Sequence, residues 1–556
     1  MLNFLKILEK ISYLSIGLAI FLLIFNIFFI RISAVEPTDL GLAGKLPLSF
    51  WIGLAFVGVI WLTGKSSIRV LTVAMALTVT YLFVIPAIVR IPVWLSNSYY
   101  PFGESIQIIS SGHLIDRPYK TFNSYYYWPS FLYFSSEFLQ ITGIPPFFVL
   151  KVFPLFHILI YTLLVFSILR IKFKSIEAIY GVGLFLASFW VRQQYFGPPG
   201  MGYIFFLLGL LVISNLFFKK NTENNKFALI AIFLLIFIVT TFTHVLSSFM
   251  LIVVLVAFYI TQLIARHQSL VKVPTLLFFS TVFFMFYNLF SATTFFNFAI
   301  KTYYTVFSFE RELGIFKEPS RIAGSAAQIL NYRSTIAIVL TVVVIALVGM
   351  LLILKKQFSS PNSFADKYSL LWLMLSLFLA IFAFTEYGPH EAYQRAFMFG
   401  LISLCYFCVI ALSKKPKLFS GILLILIFLN IPAQYGADSY TLNNDIDLSG
   451  AAFVAYKTPQ NITCYYEFTL EIRYYNPLKQ ITFLKVATLP FTSVPNASYI
   501  SQVFDRADYV IVSRKQNDYY YYFLNQNPLN QVSLEPYYNR LYDNSGFSLF
   551  TQANNT

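Results

Sequence analysis

Several places in this sequence hold side chains able to do acid, base or anion chemistry. In the stretch NSYYPFGESIQIISSGHLIDRPYK, residues 97–120, Glu104 is the nearest acid after Asn97. A carboxylate there takes a proton from a hydroxyl as a general base; the amide of Asn97 cannot. The run EYGPHEAYQR, residues 386–395, packs Glu386, His390, Glu391 and Arg395 together. Glu391 and Arg395 stand four apart, a spacing that also lets them simply pair on a helix. Arg192 and Arg333 lie beside apolar runs. A guanidinium grips phosphate through several donors and keeps its charge; beside an apolar run it also snorkels to a membrane surface. His244 breaks an apolar stretch, where it either bonds a ligand or satisfies backbone opened at the break. Glu36 and Asp39 are further acids near the start. His113 and Asp116 lack a third ligand at a recognisable spacing, so the residues alone assign no metal. Cys405 and Cys408, one helical turn apart in an apolar run, read as small core fillers.

The elements that must position these groups are membrane spans. Hydrophobic residues make up 58% of the 556, charged residues 11%, and mean hydropathy is +0.69. That excludes a soluble fold and expects an all-α polytopic membrane bundle. Apolar runs of roughly 17–23 residues lie near 11–32, 47–63, 70–89, 147–169, 175–191, 199–218, 227–243, 245–264, 273–291, 334–354, 368–386, 394–412 and 417–433. Alternate gaps between them hold 18 basic residues and only four acids, Glu9, Glu177, Glu223 and Asp366. Cytoplasmic loops retain Lys and Arg in this way. The rest of the chain, 21 basic against 20 acidic, is almost neutral. The sequence pI of 9.4 therefore reports topology, and no nucleic-acid partner follows from it. This alternation also requires two helices where residues 227–243 and 245–264 meet at Thr243-His244.

Three segments are expected outside: about 90–146, about 292–333, and a tail of 435–556 that follows a transmembrane domain of 1–434. The tail mixes short β-rich runs such as YVIVS (509–513) with turn residues and reads as a small α/β domain. It also carries the chain's sequons at Asn461, Asn496 and Asn554. A secondary transporter is disfavoured, because mid-span ionisable residues are few and no paired broken helices or repeats are visible.

Residues 97–146 read as an amphipathic surface helix ending at Gly112, an aromatic stretch, then a helix from Pro129. With Gly112, Tyr119 and Tyr125-Tyr126-Tyr127-Trp128-Pro129 in that order, this resembles the first large external loop of the GT-C superfamily. These are integral-membrane glycosyltransferases that use polyprenyl-phosphate sugar donors. YFGPPGMGYIFFLLGL (195–210) resembles the aromatic-Pro opening of a central helix in archaeal and bacterial members. Thr243-His244 is similar to their T-H breaker, and YQRAFMFGL (393–401) to the Arg-bearing start of a late helix. YYNRLYDNSGFSLF (537–550) is similar to the closing strand pair of their external domain.

The resemblance implies a GT-C-like bundle of about thirteen spans with a small C-terminal extracytoplasmic α/β domain, in a plasma membrane. It implies transfer of a sugar from a polyprenyl-phosphate donor to an envelope glycan or protein at the outer face, with inversion. The substrate contacts it implies are Tyr119, Arg192, His244, His390, Glu391 and Arg395, in a groove formed by 97–128, the Arg192 region and 390–395. A divalent cation stays open as cofactor. In the family an Asp or Glu at the start of the loop is the general base; here Asn97 stands at that position. Glu104 is then the candidate base, with Glu36 and Asp39 behind it. The departure keeps a second reading open: a non-catalytic GT-C-like protein that binds lipid-linked glycan or scaffolds an envelope complex. FERELGIFKEPSR (309–321) is expected to cover the donor groove or to lie on the bilayer.

The charge pattern makes a direct prediction. In a cysteine-free background, a single cysteine at Ser439 should react with impermeant reagent on intact cells, and one at Ser360 should not. Labelling at Ser360 alone would reverse the topology.

Overall fold

A computed structural model describes the chain apart from residues 1, 33–34, 37–38, 65–66, 91–95, 114–126, 219–221, 265–272, 293–323, 360–363, 384–391, 439–444, 467–471, 473–474, 477–478, 485–496, 525–526, 528, 530–537 and 553–556. Among the described residues ten helices are long and apolar enough to cross a membrane, and three shorter apolar ones, Leu48–Thr63, Ser175–Ser188 and Tyr368–Phe382, join them. The chain is a multi-pass membrane protein.

Helix α1 (Leu2–Phe29) packs on α2 (Leu48–Thr63). The span α3 (Ile68–Val89) contains a π-helical turn at Thr80–Val84. Pro86, inside this span, has no N–H for the Leu82 carbonyl four residues back. The Tyr435 hydroxyl donates to that carbonyl instead, at 2.7 Å. Two helices follow, α4 (Tyr99–Ser111) and α5 (Ser130–Thr142). Gly112 closes α4 in the left-handed region, φ 75°, where glycine has no Cβ to clash. Pro129 precedes α5, as the sequence led us to expect. The surface position expected for α4 is corrected: Tyr99 to Ser105, Gln107 and Ile108 are all buried. The Ser105 and Ser135 hydroxyls meet at 2.5 Å and Ser136 donates to the Ser105 carbonyl at 3.0 Å, so α5 covers α4.

The remaining spans are α6 (Pro146–Leu169), α7 (Ser175–Ser188), α8 (Pro198–Phe218), α9 (Glu223–Thr243), α10 (Val245–Ile264), α11 (Val273–Phe290), α12 (Ala326–Ser359), α13 (Phe364–Ala383), α14 (Ala392–Leu412) and α15 (Pro416–Tyr435). His244 alone separates α9 from α10, with extended backbone at φ −158° and ψ 112°. The two-helix reading of that stretch holds. Cys405 and Cys408 are buried and unbridged in α14.

The tail folds as α16 (Asp445–Lys457), β1 (Asn461–Tyr465), β2 (Gln480–Leu484), α17 (Ala497–Phe504), β3 (Tyr509–Ser513), α18 (Arg514–Leu524), β4 (Tyr538–Asp543) and β5 (Phe547–Gln552). Strand order is β2-β1-β3-β5-β4. β1 runs parallel to β2 and β3, while β3–β5 and β4–β5 pair antiparallel. The period-2 alternation of strands divides the sheet between two apolar clusters. Tyr465, Val510 and Phe550 join one, with Tyr519 and Tyr520 of α18. Cys464, Ile511 and Leu549 join the other, with Val454 of α16. YVIVS is β3, and β4 and β5, within 538–552, form the closing hairpin.

The tail sits on the end of the bundle where α1, α3 and α15 finish. Arg514 pairs with Glu36, in the loop after α1, and lies 3.9 Å from Asp518. The Ser325 amide donates to the Tyr522 carbonyl at 3.0 Å, joining the start of α12 to α18. Burial pushes the Asp518 carboxyl up to about 8; Arg514 opposes this, and Glu36 and Asp447 add to it. A carboxyl that holds its proton more tightly when folded costs stability as pH rises from its ordinary 3.8 to about 8. Thermal unfolding of the full chain should therefore shift down between pH 5 and pH 8, and Asp518→Asn should shrink that shift. An undiminished shift in the variant would place the titration elsewhere.

Candidate functional site

The site is organised by backbone that is not helical. After α7 ends at Ser188, residues 189–197 run irregularly until Pro198 and Pro199 open α8. Prolines fit a first helical turn, where N–H groups have no partner. Irregular backbone that is buried must be satisfied by protein. The Asn430 carboxamide of α15 donates to the Ala187 and Phe189 carbonyls at 3.1 and 3.4 Å. His157 of α6 places Nδ1 3.0 Å from the Gln194 carbonyl, which accepts its proton. Tyr161 donates to Gly200 at 2.8 Å, and Tyr203 to Met398 of α14 at 2.9 Å.

Aromatic rings extend these ties. Phe196 meets Phe102 of α4, Phe131 of α5 and Phe153 of α6 at 5.7, 5.0 and 4.9 Å between centroids. Trp190 stacks on Tyr393 at 6.5 Å and meets Phe397 at 5.7 Å, each two residues from Arg395. Gly202 approaches His244 so closely that a Cβ there would lie 2.6 Å from the His244 Cβ. His244 Nδ1 meets the Ser247 hydroxyl at 2.9 Å, and Arg395 is close enough to act on His244 electrostatically.

A second cluster meets the same segment at Gln194. Arg90, at the end of α3, is 1% exposed and pairs with Asp438, 0% exposed, at 2.8 Å. Its Nε donates to the Pro86 carbonyl at 2.5 Å, and its guanidinium lies 4.7 Å from the Tyr435 ring centroid. Lys151 of α6 donates to the Arg90 carbonyl at 2.6 Å. Arg90, Lys151, Tyr435 and Gln194 line a narrow cleft whose walls are Phe83, Leu150, Pro154 and Ile158. Arg192 is close enough to act electrostatically on Tyr435, and Arg31 and Arg90 on Lys151.

Of the residues expected from the sequence, the structure brings Arg192, His244 and Arg395 around one segment. Arg395 is 8% exposed; Arg192 and His244 are half-buried. Glu104 belongs to the α4 face packed near that segment and is 5% exposed, so its expected outward, solvated position is corrected. The cause is the cover that α5 places on α4. Asn97 is exposed. Glu36 pairs with Arg514, and Asp39 with Lys45 at 3.0 Å. Tyr119, His390, Glu391, Asp116 and the 309–321 segment lie outside the described residues. His113 is exposed and bonds locally to Ser111. No group of three metal-ligating side chains occurs among the described residues, and no step is derived through a cation.

Sequence reasoning missed Arg90, Lys151, Gln194, Tyr435 and Asp438. Lys151 carried a signal: an ionisable residue inside an apolar run is a functional candidate by default. Arg90 and Asp438 carried none, standing 348 positions apart.

The fold is similar to that of solved oligosaccharyltransferases. The Archaeoglobus fulgidus oligosaccharyltransferase in its apo form superposes with a TM-score of 0.52 at 14% identity, over 88% of this chain and 75% of that one. The same enzyme in complex with zinc and sulfate gives 0.51 at 13%, over 87% and 73%. The A. fulgidus oligosaccharyltransferase AglB, in complex with an inhibitory peptide and a dolichol-phosphate, gives 0.50 at 13%, over 88% and 74%. No family model and no curated protein matches the sequence.

The buried pair yields a stability prediction. Asp438→Ala leaves the Arg90 charge without its carboxylate and should cost about 3–5 kcal/mol, read as loss of thermal stability in detergent. Replacing both members, Arg90→Met with Asp438→Leu, should restore most of it. A double variant as unstable as the single one would show that the charges do more than balance each other.

Proposed function

We propose that this chain is a membrane glycosyltransferase of the GT-C type, moving a sugar from a polyprenyl-phosphate donor to an envelope glycan or protein. The N-terminus lies inside, and the tail of 435–556 forms an extracytoplasmic domain on the outer face. One observation carries the reading. Residues far apart in the sequence, on α4, α10 and α14, converge on the segment 189–203, in a fold like that of enzymes solved with dolichol-phosphate.

The chemistry assigns roles. The acceptor hydroxyl gives its proton to the Glu104 carboxylate as its oxygen bonds to the anomeric carbon. The bond from that carbon to the phosphate oxygen breaks, and its electron pair leaves on the lipid phosphate. Attack opposite the leaving group inverts the centre. Arg192 and Arg395 offset the charge that grows on the phosphate, and His244 contributes a polar contact beside Arg395. Tyr119, His390 and Glu391 belong to the loops proposed to complete the groove. Burial of Glu104 supports the reading, because a transferase must keep bulk water from its donor.

A second reading has its own support. Asn97, the amide at the position of the family acid, is exposed and has no basic oxygen to offer. A chain that kept the groove and lost the base would hold lipid-linked glycan without transferring it.

The two readings separate in one assay, transfer from radiolabelled polyprenyl-phosphate sugar in proteoliposomes. Glu104→Gln should fold normally and lower transfer about 10²–10⁴-fold. Asn97→Asp should raise it. Donor binding with no transfer by the wild type, and no change in either variant, would decide for the non-catalytic protein.

A further inference from the structure

We propose that the cleft between α3 and α6, bounded by Arg90, Lys151, Gln194 and Tyr435, binds the phosphate of a lipid whose hydrocarbon chain lies along these two helices. Charge is the first argument. Arg31, Arg90, Lys151 and Arg192 gather within electrostatic reach of one another or of Tyr435, and Asp438 is the acid placed among them in the described residues. Three positive charges in excess stand at a bundle end whose loops are otherwise nearly neutral, the side that the positive-inside rule depletes of Lys and Arg. Holding like charges together at the edge of a low-dielectric interior is unfavourable unless an anion joins them.

Hydrogen bonding is the second argument. Arg90 is fixed by Asp438 and the Pro86 carbonyl, so it forms the floor. The Lys151 ammonium has three protons; one goes to the Arg90 carbonyl, and the half-buried side chain lines the cleft mouth. Gln194 is 1% exposed and lines the same cleft, yet neither its amide nitrogen nor its oxygen bonds any described residue. A buried carboxamide of this kind is costly without a partner. A phosphate oxygen satisfies its N–H₂, and a second oxygen satisfies the ammonium.

Shape is the third. Phe83, Ala87, Leu150, Pro154, Leu155 and Ile158 give the cleft apolar walls that continue along membrane-spanning helices. A free phosphate has no use for such walls; a lipid does. The proposal rests on the transferase reading only for naming polyprenyl phosphate as the favoured lipid. A chain that binds there and transfers nothing upholds this site and defeats the transferase.

The test is native mass spectrometry of the full chain released from detergent micelles. The probes are polyprenyl phosphate, phosphatidylglycerol and inorganic phosphate. Wild-type protein should retain a lipid phosphate, and Lys151→Gln and Gln194→Leu should each weaken it about 10–100-fold. Lys151→Arg should retain most of the binding, and Arg540→Gln, in the tail, should change nothing. Preference for polyprenyl phosphate assigns the cleft to a glycan carrier; equal retention of phosphatidylglycerol assigns it to bulk anionic lipid. Retention of inorganic phosphate alone, or full lipid binding by a folded Lys151→Gln protein, would overturn the proposal.

Discussion

Backbone that leaves the helix while buried in protein has no water to turn to, and its carbonyls and amides must be met by side chains. In this chain that demand falls on residues 189–197. It recruits Asn430 from α15, which donates to the Phe189 carbonyl, and His157 from α6, which donates to that of Gln194. Each recruited group fixes its own helix against the segment. The polar side chains and aromatic rings that could handle a substrate are then found beside the helix break, because that is where polarity is tolerated. A continuous helix across 175–218 would need none of these ties and would leave α4, α10 and α14 without a common neighbour.

Among the described residues, two ion pairs of different character tie the tail to the bundle. Arg90–Asp438 is fully buried, so it contributes little net stability as a pair but makes the loss of either member expensive. It therefore sets where the chain emerges from α15 with little tolerance for change. Glu36–Arg514 is partly exposed, its side chains 47% and 30% accessible, and such a pair is worth about 0–1 kcal/mol. The first tie specifies position; the second is easily made and broken, and Asp518 beside it makes that corner sensitive to pH.

The spans were legible because membrane length and loop charge are properties of whole segments. Gly112 and His244 were legible because a left-handed cap and a helix break each leave a residue-level mark. The hairpin of β4 and β5 was legible only through the resemblance of residues 537–550 to a closing strand pair. The burial of α4 was not: its amphipathic pattern suits a bilayer surface as well as a protein groove. What decides between them is Ser105 meeting Ser135, a contact between residues 30 positions apart. The cationic cleft was hidden for a similar reason. Arg90 reads as an ordinary span-end residue until Asp438 and Tyr435 are brought to it from the far end of the bundle.

Helix α12 has 34 residues, which at 1.5 Å per residue is about 51 Å, against about 30 Å of hydrocarbon. The surplus is taken up by tilt or by projection beyond the bilayer. Its first turn touches α18 through Ser325 and Tyr522, so the helix is a strut with the sheet mounted on its end. A thicker bilayer stands the strut more upright and lifts the sheet; a thinner one leans it over. Because the buried Arg90–Asp438 pair fixes the start of the tail at a second point, leaning the strut becomes rotation about that point. Membrane thickness is thereby a mechanical input to how the tail lies over the mouth of the bundle.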